Sequence, residues 1–200
     1  MSVKHSTGTL LPGLPPIEAS PEQLPFFVTG LPRSRTGWLA NFLTSQGALC
    51  VHEGLIHGVD PALRWLTRGG PNVRRGLSDS ILPLYWTEVF QPFSAFRLVI
   101  VERDPEECWE SLLDFLELNE VRVARAELET RFASVSAHLR DMIMFCPHVL
   151  VKFEELNEPE ALLDIWEHCL PGLPYDEERT QLLQRLNVQQ QVSAVKAATL

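Results

Sequence analysis

The stretch FFVTGLPRSRTGWLANFL, residues 26–43, predicts a β-strand, a short polar turn and an α-helix in direct succession. The apolar run at its start is typical of a buried strand, and residues 36–47 have the composition of a helix that stops at Gly47. Arg33 and Arg35 lie in the turn between them. The first turn of a helix presents unpaired backbone N–H groups and a partial positive charge, so this turn predicts an anion-binding site.

The composition narrows the classes of function. The chain has 200 residues, 45% of them hydrophobic, and a formal net charge of -9. This length suits one folded domain with a substantial core. The negative charge argues against general binding to nucleic acids or anionic membranes, because both depend mainly on Lys and Arg. A small, local anion site is compatible with it.

The cysteines and the hydropathy favour a cytoplasmic protein. Cys50, Cys108, Cys146 and Cys169 are far apart and form no CxxC pair, so we expect buried thiols rather than zinc ligands or disulfides. No stretch approaches the roughly 20 apolar residues that span a bilayer. The first 16 residues lack the apolar core of a signal peptide. We therefore expect neither a membrane partner nor a metal site.

Three regions are predicted along the chain. Residues 1–24 contain four prolines among scattered Gly and Ser, which indicates a flexible, proline-rich arm. The folded domain is expected over residues 25–188. Residues 189–200 are weakly patterned and are expected to form a loosely structured tail.

Within the domain, short apolar runs alternate with amphipathic stretches, which is typical of βα units and a parallel sheet. Strands are predicted at 26–30 and 48–53, within 96–105 and within 148–156. Helices are predicted at 36–47, from near Pro83, and at 106–119, 121–145, 158–170 and 176–186. Residues 54–80 are rich in Gly and Arg, and we expect a loop or a short broken helix there.

The turn after the first strand does not match the nucleotide-binding pattern of P-loop kinases. That pattern, GxxxxGK[ST], needs a lysine for the phosphates and a hydroxyl for magnesium. The corresponding stretch GLPRSRT has Arg35 in place of the second Gly and contains no lysine. The turn is therefore not a magnesium–ATP loop of this kind.

The same turn resembles the phosphosulfate-binding loop of sulfotransferases, whose pattern is close to P-[KR]-S-G-[TS]-[TS]-W after an apolar strand. The matching positions are Pro32, Arg33, Ser34, Thr36 and Trp38. The departures are Arg35 for the usual Gly and Gly37 for the second hydroxyl residue. Without other support, the stretch also fits a plain strand-to-helix corner with exposed arginines.

Two further segments resemble the same family and follow in the same order. In sulfotransferases, a strand is followed by R-[DN]-P and by a serine eight positions after the arginine, and both bind the 3′-phosphate of the nucleotide. Arg103 and Ser111 have this spacing; taken alone, Asp104 reads as an ordinary helix N-cap. Residues 148–178 resemble the family's segment with a YEDL-like turn, a helix and a Leu-Gly-Leu-Pro-type turn, and we expect this part to serve the fold.

The resemblance covers most of residues 25–178 and implies an α/β, three-layer P-loop-type fold with a central, mostly parallel β-sheet flanked by helices. It implies transfer of a sulfuryl group from 3′-phosphoadenosine 5′-phosphosulfate (PAPS) to a hydroxyl or amine, leaving adenosine 3′,5′-bisphosphate (PAP). The acceptor is expected to be a small molecule or a carbohydrate. The family's C-terminal R-K-G-x-x-G stretch has no counterpart after residue 178. The basic residues Arg68, Arg74 and Arg75 either replace it, bind an acidic acceptor or form a solvated arginine loop.

Residue roles also follow from the resemblance. The expected nucleotide-binding residues are Arg33, Ser34, Arg35, Thr36, Gly37, Trp38, Arg103 and Ser111. Arg33 occupies the position of the family's catalytic lysine or arginine and is expected to neutralise charge on the oxygen between sulfur and the leaving phosphate. Arg35 is expected either to contact the phosphosulfate or acceptor, or to block the loop.

The stretch VHEGLIH, residues 51–57, follows the second strand, at the sheet edge where ligands bind in such folds. Some carbohydrate sulfotransferases use a glutamate in this region, so Glu53 is the first candidate for the catalytic base, with His52 or His57 as alternatives. Two other functions remain open on the sequence alone. One is a P-loop kinase-like phosphotransferase, and the other is a degenerate nucleotide-binding or interaction domain without catalysis.

Overall fold

A five-stranded, all-parallel β-sheet forms the centre of the computed structural model, which describes residues 23–67 and 73–186. The strands are β1 (Phe26–Gly30), β2 (Ala48–His52), β3 (Arg74–Ser78), β4 (Arg97–Glu102) and β5 (Val149–Lys152). Their order across the sheet is β2-β3-β1-β4-β5. This arrangement confirms the predicted α/β fold with a central parallel sheet.

Helices cover both faces of this sheet. They are α1 (Thr36–Phe42), α2 (Val59–Thr67), α3 (Trp86–Phe90), α4 (Pro105–Leu118), α5 (Arg125–Phe145), α6 (Pro159–Cys169) and α7 (Glu177–Leu186). Short 3₁₀ turns lie at Gly54–His57, Leu82–Leu84 and Glu154–Asn157. None of the helices in the described ranges is long and apolar enough to cross a membrane.

The two faces of the sheet carry separate cores because neighbouring strand residues point to opposite sides. On one face, Phe26 and Val28 pack with α1 and α6. On the other face, Phe27 packs with residues of α2, α3 and α5. Strand β4 divides its residues in the same way, with Val99 and Val101 in the first core and Leu98 and Ile100 in the second. The result is the predicted three-layer arrangement.

The expectation of a loop or a short broken helix over residues 54–80 missed a strand. The region contains a 3₁₀ turn, helix α2 and strand β3. The arginines that open β3 obscured the strand, but both guanidinium groups are used inside the fold. Arg74 Nη2 donates to the carbonyl of Pro171 at 2.6 Å. Arg75 Nη1 donates to the carbonyl of Trp65 at 3.0 Å, and its guanidinium lies 4.0 Å from the centre of the Trp65 ring.

Smaller differences concern the ends of elements. Helix α1 ends at Phe42 rather than at Gly47, and α5 begins at Arg125 rather than at residue 121. The helix expected near Pro83 is a 3₁₀ turn followed by α3. The proposed arm, apart from residues 23 and 24, and the proposed tail lie outside the described residues, so the three-region division stays a prediction.

Candidate functional site

The turn between β1 and α1 has the strained backbone that is typical of functional loops. Arg33 and Arg35 have φ angles of 74° and 60°, in the left-handed region that residues with a side chain rarely adopt. Ser34 lies between them and its N–H donates to the carbonyl of Leu31 at 3.1 Å. The two left-handed residues on either side of Ser34 turn the chain sharply from the strand into the helix. Helix α1 begins at Thr36, with its N-terminus at the sheet edge.

Arg33 joins the first two sequence motifs directly. Its Nε donates to Oγ of Ser111 on α4 at 3.3 Å, and its guanidinium lies 4.7 Å from the centre of the Phe115 ring. Arg103, at the end of β4, donates from Nη1 to the carbonyl of Arg33 at 2.7 Å. Three residues that the sequence predicted to serve one nucleotide therefore meet at one place.

Arg103 is held from several sides. Its guanidinium lies 4.1 Å from the centre of the Phe153 ring, and its Nε forms an ion pair with Glu107 at 3.4 Å. Its side chain is 15% exposed. The planar guanidinium is thus fixed beside the loop, in a geometry that suits a forked contact to a phosphate.

Arg35, the main departure from the family pattern, extends towards the turn after β5. Its Nη1 donates to Oδ1 of Asn157 at 2.8 Å, and its guanidinium lies 5.1 Å from the centre of the Phe153 ring. Phe153 therefore contacts both Arg35 and Arg103. This position keeps a second positive charge of the loop at the cavity wall.

The electrostatics of the loop favour a bound anion. Burial, and after it the positive charge of Arg103, lower the pKa of both Arg33 and Arg35. Like charges that repel each other in this way are stabilised by an anion placed between them. The side-chain hydrogen-bond acceptors of Arg33 and Arg35 described above, Ser111 and Asn157, are both uncharged.

The hydroxyl groups of the loop have specific partners inside the protein. Ser34 is fully buried and its Oγ lies 3.7 Å from Sγ of Cys108 on α4. Oγ1 of Thr36 lies 3.3 Å from Nε2 of His52, and its carbonyl accepts a bond from Ser78 Oγ at 2.7 Å. These contacts fix the loop to α4 on one side and to β2 and β3 on the other.

Trp38 is part of the hydrophobic core as well as of the cavity wall. It is 2% exposed, its Nε1 donates to the carbonyl of Leu183 at 3.1 Å, and its ring stacks on Phe42 at 5.3 Å. Gly37 precedes it and also borders the cavity.

The candidate bases lie at or just after the end of β2. His52 Nε2 lies 3.9 Å from Oε1 of Glu53, and burial lowers the pKa of His52 against the opposing effect of the Glu53 charge. Glu53 has a left-handed φ of 53°. Both residues border the cavity, whereas His57 is exposed and does not border it. The structure thus places His52 and Glu53, but not His57, beside the arginine loop.

A cavity of about 730 Å³ connects these groups. Arg33, Arg35, Arg103 and Ser111 border it, and so do His52 and Glu53. Helices α4 and α5 contribute a largely apolar wall, formed by Leu112, Phe115, Leu128, Phe132 and Val135, with the charged Arg131 among them. The described residues contain no group of three or more His, Cys, Asp or Glu that suits a metal ion.

Comparison with solved structures identifies the fold. The crystal structure of the mouse sulfotransferase SULT7A1 complexed with PAP has a TM-score of 0.56 and 13% identity to this chain, covering 82% of it. A sulfotransferase from Alicyclobacillus acidocaldarius has a TM-score of 0.58 and 14% identity, covering 89% of this chain. The chain has a sulfotransferase-like fold. No protein-family model and no curated protein sequence matches it.

The chain spans 64% of the mouse sulfotransferase and 96% of the bacterial one. The similarity predicted from three short motifs is confirmed for the fold.

Two arginines that the sequence suggested as nucleotide or acceptor ligands lie away from the cavity. Arg74 and Arg75 belong to β3 and donate to backbone carbonyls, and neither borders the cavity. The sequence left three roles open for them: replacing the absent C-terminal nucleotide stretch, binding an acidic acceptor, or forming a solvated arginine loop. Their position in β3, with guanidinium groups that donate to internal carbonyls, fits none of the three. Arg68 lies outside the described residues.

Other residues of the site were not predicted from the sequence. Asp79 follows β3, and Ser80 and Ile81 border the cavity next to it. Because the sequence did not reveal β3, it gave no reason to examine the residues at its end. The wall formed by α4 and α5 was also missed, since it depends on how two separate helices meet.

Proposed function

We propose that this protein is a sulfotransferase that moves a sulfuryl group from PAPS to a hydroxyl or amine of a small molecule or carbohydrate. The convergence of Arg33, Arg103 and Ser111 supports the proposal most directly, because these residues come from two distant motifs and meet at one cavity. The sulfotransferase-like fold is consistent with it. The buried, free cysteines fit the cytoplasm as the place of the reaction.

The residues present suit the two anionic ends of such a donor. The backbone N–H groups of Arg33 and of residues 35–37 lie in the turn and the first residues of α1, where a helix N-terminus suits the 5′-phosphosulfate. Arg103 and Ser111 suit the 3′-phosphate, since a fixed guanidinium and a nearby hydroxyl both donate to phosphate oxygens. Arg35 adds a further positive charge at the same wall, held by Asn157.

In the reaction, the bond between sulfur and the bridging oxygen of the donor breaks while a bond from the acceptor oxygen or nitrogen to sulfur forms. Arg33 stabilises the negative charge that develops on the leaving phosphate, which is electrostatic stabilisation of the transition state. For this role its guanidinium turns from the contact with Ser111 towards the bridging oxygen. No metal ion is required by this scheme.

The acceptor must lose a proton to a nearby base. Glu53 borders the cavity beside His52, and either group is placed to accept that proton. Burial lowers the pKa of His52, which favours the neutral imidazole, the form that accepts a proton. We assign Glu53 as the first candidate and His52 as the second.

Calorimetric titration tests the proposal. Adenosine 3′,5′-bisphosphate and ATP with magnesium are titrated separately into the unmodified chain, Arg103→Ala and Ser111→Ala. Arg125→Ala is the matched control, because Arg125 is an exposed arginine of α5 that pairs with Glu129. We expect the bisphosphate to bind the unmodified chain and the control equally, and to bind both site variants more weakly.

The two alternatives give different results. A preference for magnesium–ATP would overturn the proposal in favour of a kinase-like phosphotransferase. If neither nucleotide binds, the chain is a domain that acts without this chemistry.

A further inference from the structure

Asp79 is a fully buried carboxylate immediately after β3. Its Oδ2 accepts the N–H of Leu55 and its Oδ1 accepts the N–H of Ile81, both at 2.9 Å. Its own N–H donates to the carbonyl of Val28 at 2.9 Å, and its carbonyl accepts Oγ1 of Thr29 at 2.8 Å. The backbone bonds fix Asp79 to β1, and the carboxylate is left to hold two neighbouring segments.

Both of these segments are next to residues that border the cavity. Leu55 is in the 3₁₀ turn that begins directly after Glu53, which borders the cavity, and Ile81 borders it together with Ser80. The Glu53 backbone is held from its other side as well, since its N–H donates to the carbonyl of Ser78 at 3.2 Å. Glu53 therefore keeps its left-handed φ of 53° between two bonds to the end of β3.

We infer that Asp79 is a positioning residue whose carboxylate sets the place of Glu53 and of the Ser80–Ile81 turn. It acts through these residues, because Asp79 itself does not border the cavity. The inference rests on the proposed function in one respect, namely that Glu53 takes the acceptor's proton. Neither motif resemblance nor the predicted elements pointed to this residue.

The chemistry of the clamp requires a carboxylate. An ionised carboxylate only accepts hydrogen bonds, so each oxygen of Asp79 satisfies one N–H. An asparagine in the same place has one accepting oxygen, and its NH₂ group would face the second N–H as another donor. Burial raises the pKa of Asp79 to about 6, the nearby charge of Glu53 acts in the same direction, and the bonds from Leu55 and Ile81 oppose them.

A double-mutant cycle on activity tests the inference. We expect Asp79→Asn to lower kcat about 100-fold, as misplacement of a reacting group by about 1 Å does. The KM for PAPS should stay within about twofold, because the arginine loop is untouched. In a Glu53→Gln background the same Asp79→Asn change should lower kcat by no more than about twofold, since residues that act as a unit are not additive.

Thr29→Val is the matched control. It removes the buried hydrogen bond to the Asp79 carbonyl but leaves the carboxylate clamp, and we expect kcat to stay within about twofold of the unmodified chain. A full, additive loss from Asp79→Asn in the Glu53→Gln background would overturn the inference. A normal kcat in Asp79→Asn alone would do so too.

Amide hydrogen exchange gives a second readout that does not depend on turnover. Asp79→Asn should lose protection at the amides of Leu55 and Ile81, while α6 stays as protected as in the unmodified chain. If Asp79→Asn does not fold, the unmodified chain is titrated by NMR instead. The Leu55 and Ile81 amide shifts should then move together with the Asp79 carboxyl shift, and independent midpoints would overturn the clamp.

The failure of the proposed function is distinguishable from the failure of this inference. If adenosine 3′,5′-bisphosphate does not bind the unmodified chain, the sulfotransferase proposal fails and the positioning role fails with it. If the bisphosphate binds equally to the unmodified chain and to Asp79→Asn, and the cycle is additive, only the positioning role is overturned.

Discussion

Arg33 and Ser111 are 78 positions apart in the chain, yet Nε of the arginine donates to Oγ of the serine at 3.3 Å. The bond crosses from the β1–α1 turn to the first half of α4. It brings the residue proposed for the transferring sulfate into contact with the residue proposed for the 3′-phosphate. The two ends of the proposed nucleotide site are therefore in direct contact with each other.

Removal of the Arg33 guanidinium should separate binding from chemistry. We expect Arg33→Ala to bind adenosine 3′,5′-bisphosphate within about tenfold of the unmodified chain, because Arg103 and Ser111 remain. Turnover of PAPS should fall about 100-fold to 1,000-fold, the usual loss when one donor to a developing charge is removed. Calorimetry measures the first quantity and a single-turnover assay the second. Equal losses in both would mean that Arg33 serves ground-state binding only.

Arg33→Lys is the informative companion variant. A lysine keeps the positive charge but has a single ammonium group in place of the guanidinium fork, which here contacts both Ser111 and the Phe115 ring. Turnover should recover by at least about tenfold over Arg33→Ala, as expected for electrostatic stabilisation of the leaving phosphate. No recovery would assign the loss to the shape of the arginine and not to its charge.

Replacement of Arg35 by glycine, the residue that the sulfotransferase loop pattern has at this position, should weaken nucleotide binding without unfolding the chain. The left-handed φ of 60° costs a side-chain residue about 1–2 kcal/mol, whereas glycine adopts it freely but loses about 0.5–1 kcal/mol through backbone entropy. The free energy of unfolding should thus change by about 1 kcal/mol or less. Loss of one cation at the site should lower bisphosphate affinity about tenfold, measured by calorimetry.

Tighter binding of the bisphosphate by Arg35→Gly would contradict this prediction. It would show that the Arg35 side chain obstructs the loop. Asn157→Ala is the matched control, since it releases the Arg35 guanidinium from its hydrogen bond but keeps the charge. It should change the affinity less than Arg35→Gly does.

The titration of Asp79 should make the free energy of unfolding depend on pH. Its pKa is about 6 in the folded chain, above the value of about 3.9 in an unfolded chain. The folded state therefore holds this proton more tightly, so the stabilising contribution is complete below about pH 4 and is lost as the pH rises through 6. The loss is about 3 kcal/mol at most. Urea denaturation between pH 4 and pH 7.5 measures it.

Asp79→Asn provides the reference for that experiment, because asparagine does not titrate. The free energy of unfolding of the unmodified chain, relative to Asp79→Asn, should fall between pH 4 and pH 6 and then level off. Parallel pH profiles for the two chains would contradict the raised pKa.

The sequence predicted the parts of the fold whose signals are local. The unbroken apolar run of β4 and the apolar start of β1 are recognisable as buried strands without knowledge of their neighbours. The spacing of Arg103 and Ser111 is likewise a property of one segment. These local features established the order of the motifs along the chain, and that order predicted the fold.

What the sequence did not predict depends on contacts between distant segments. Arg75 reads as a loop residue until Trp65 is seen to accept its hydrogen bond and stack against it. The positioning role inferred for Asp79 depends on the pairing of β3 with β1, which no local pattern indicates. Arg35 meets Asn157, 122 positions later, and nothing in the local pattern indicates that partner.

The close packing of β3 against β1 yields the last prediction. A Cβ on Gly76 would overlap the ring of Phe26, which is fully buried in the core. Gly76→Ala should therefore destabilise the chain by about 1–3 kcal/mol, the usual cost of overpacking a core. Gly172→Ala is the matched control, since its φ of 77° strains an alanine while nothing lies within 4 Å of the added Cβ. Chemical denaturation should rank Gly76→Ala below Gly172→Ala, and the reverse ranking would contradict the register of β3.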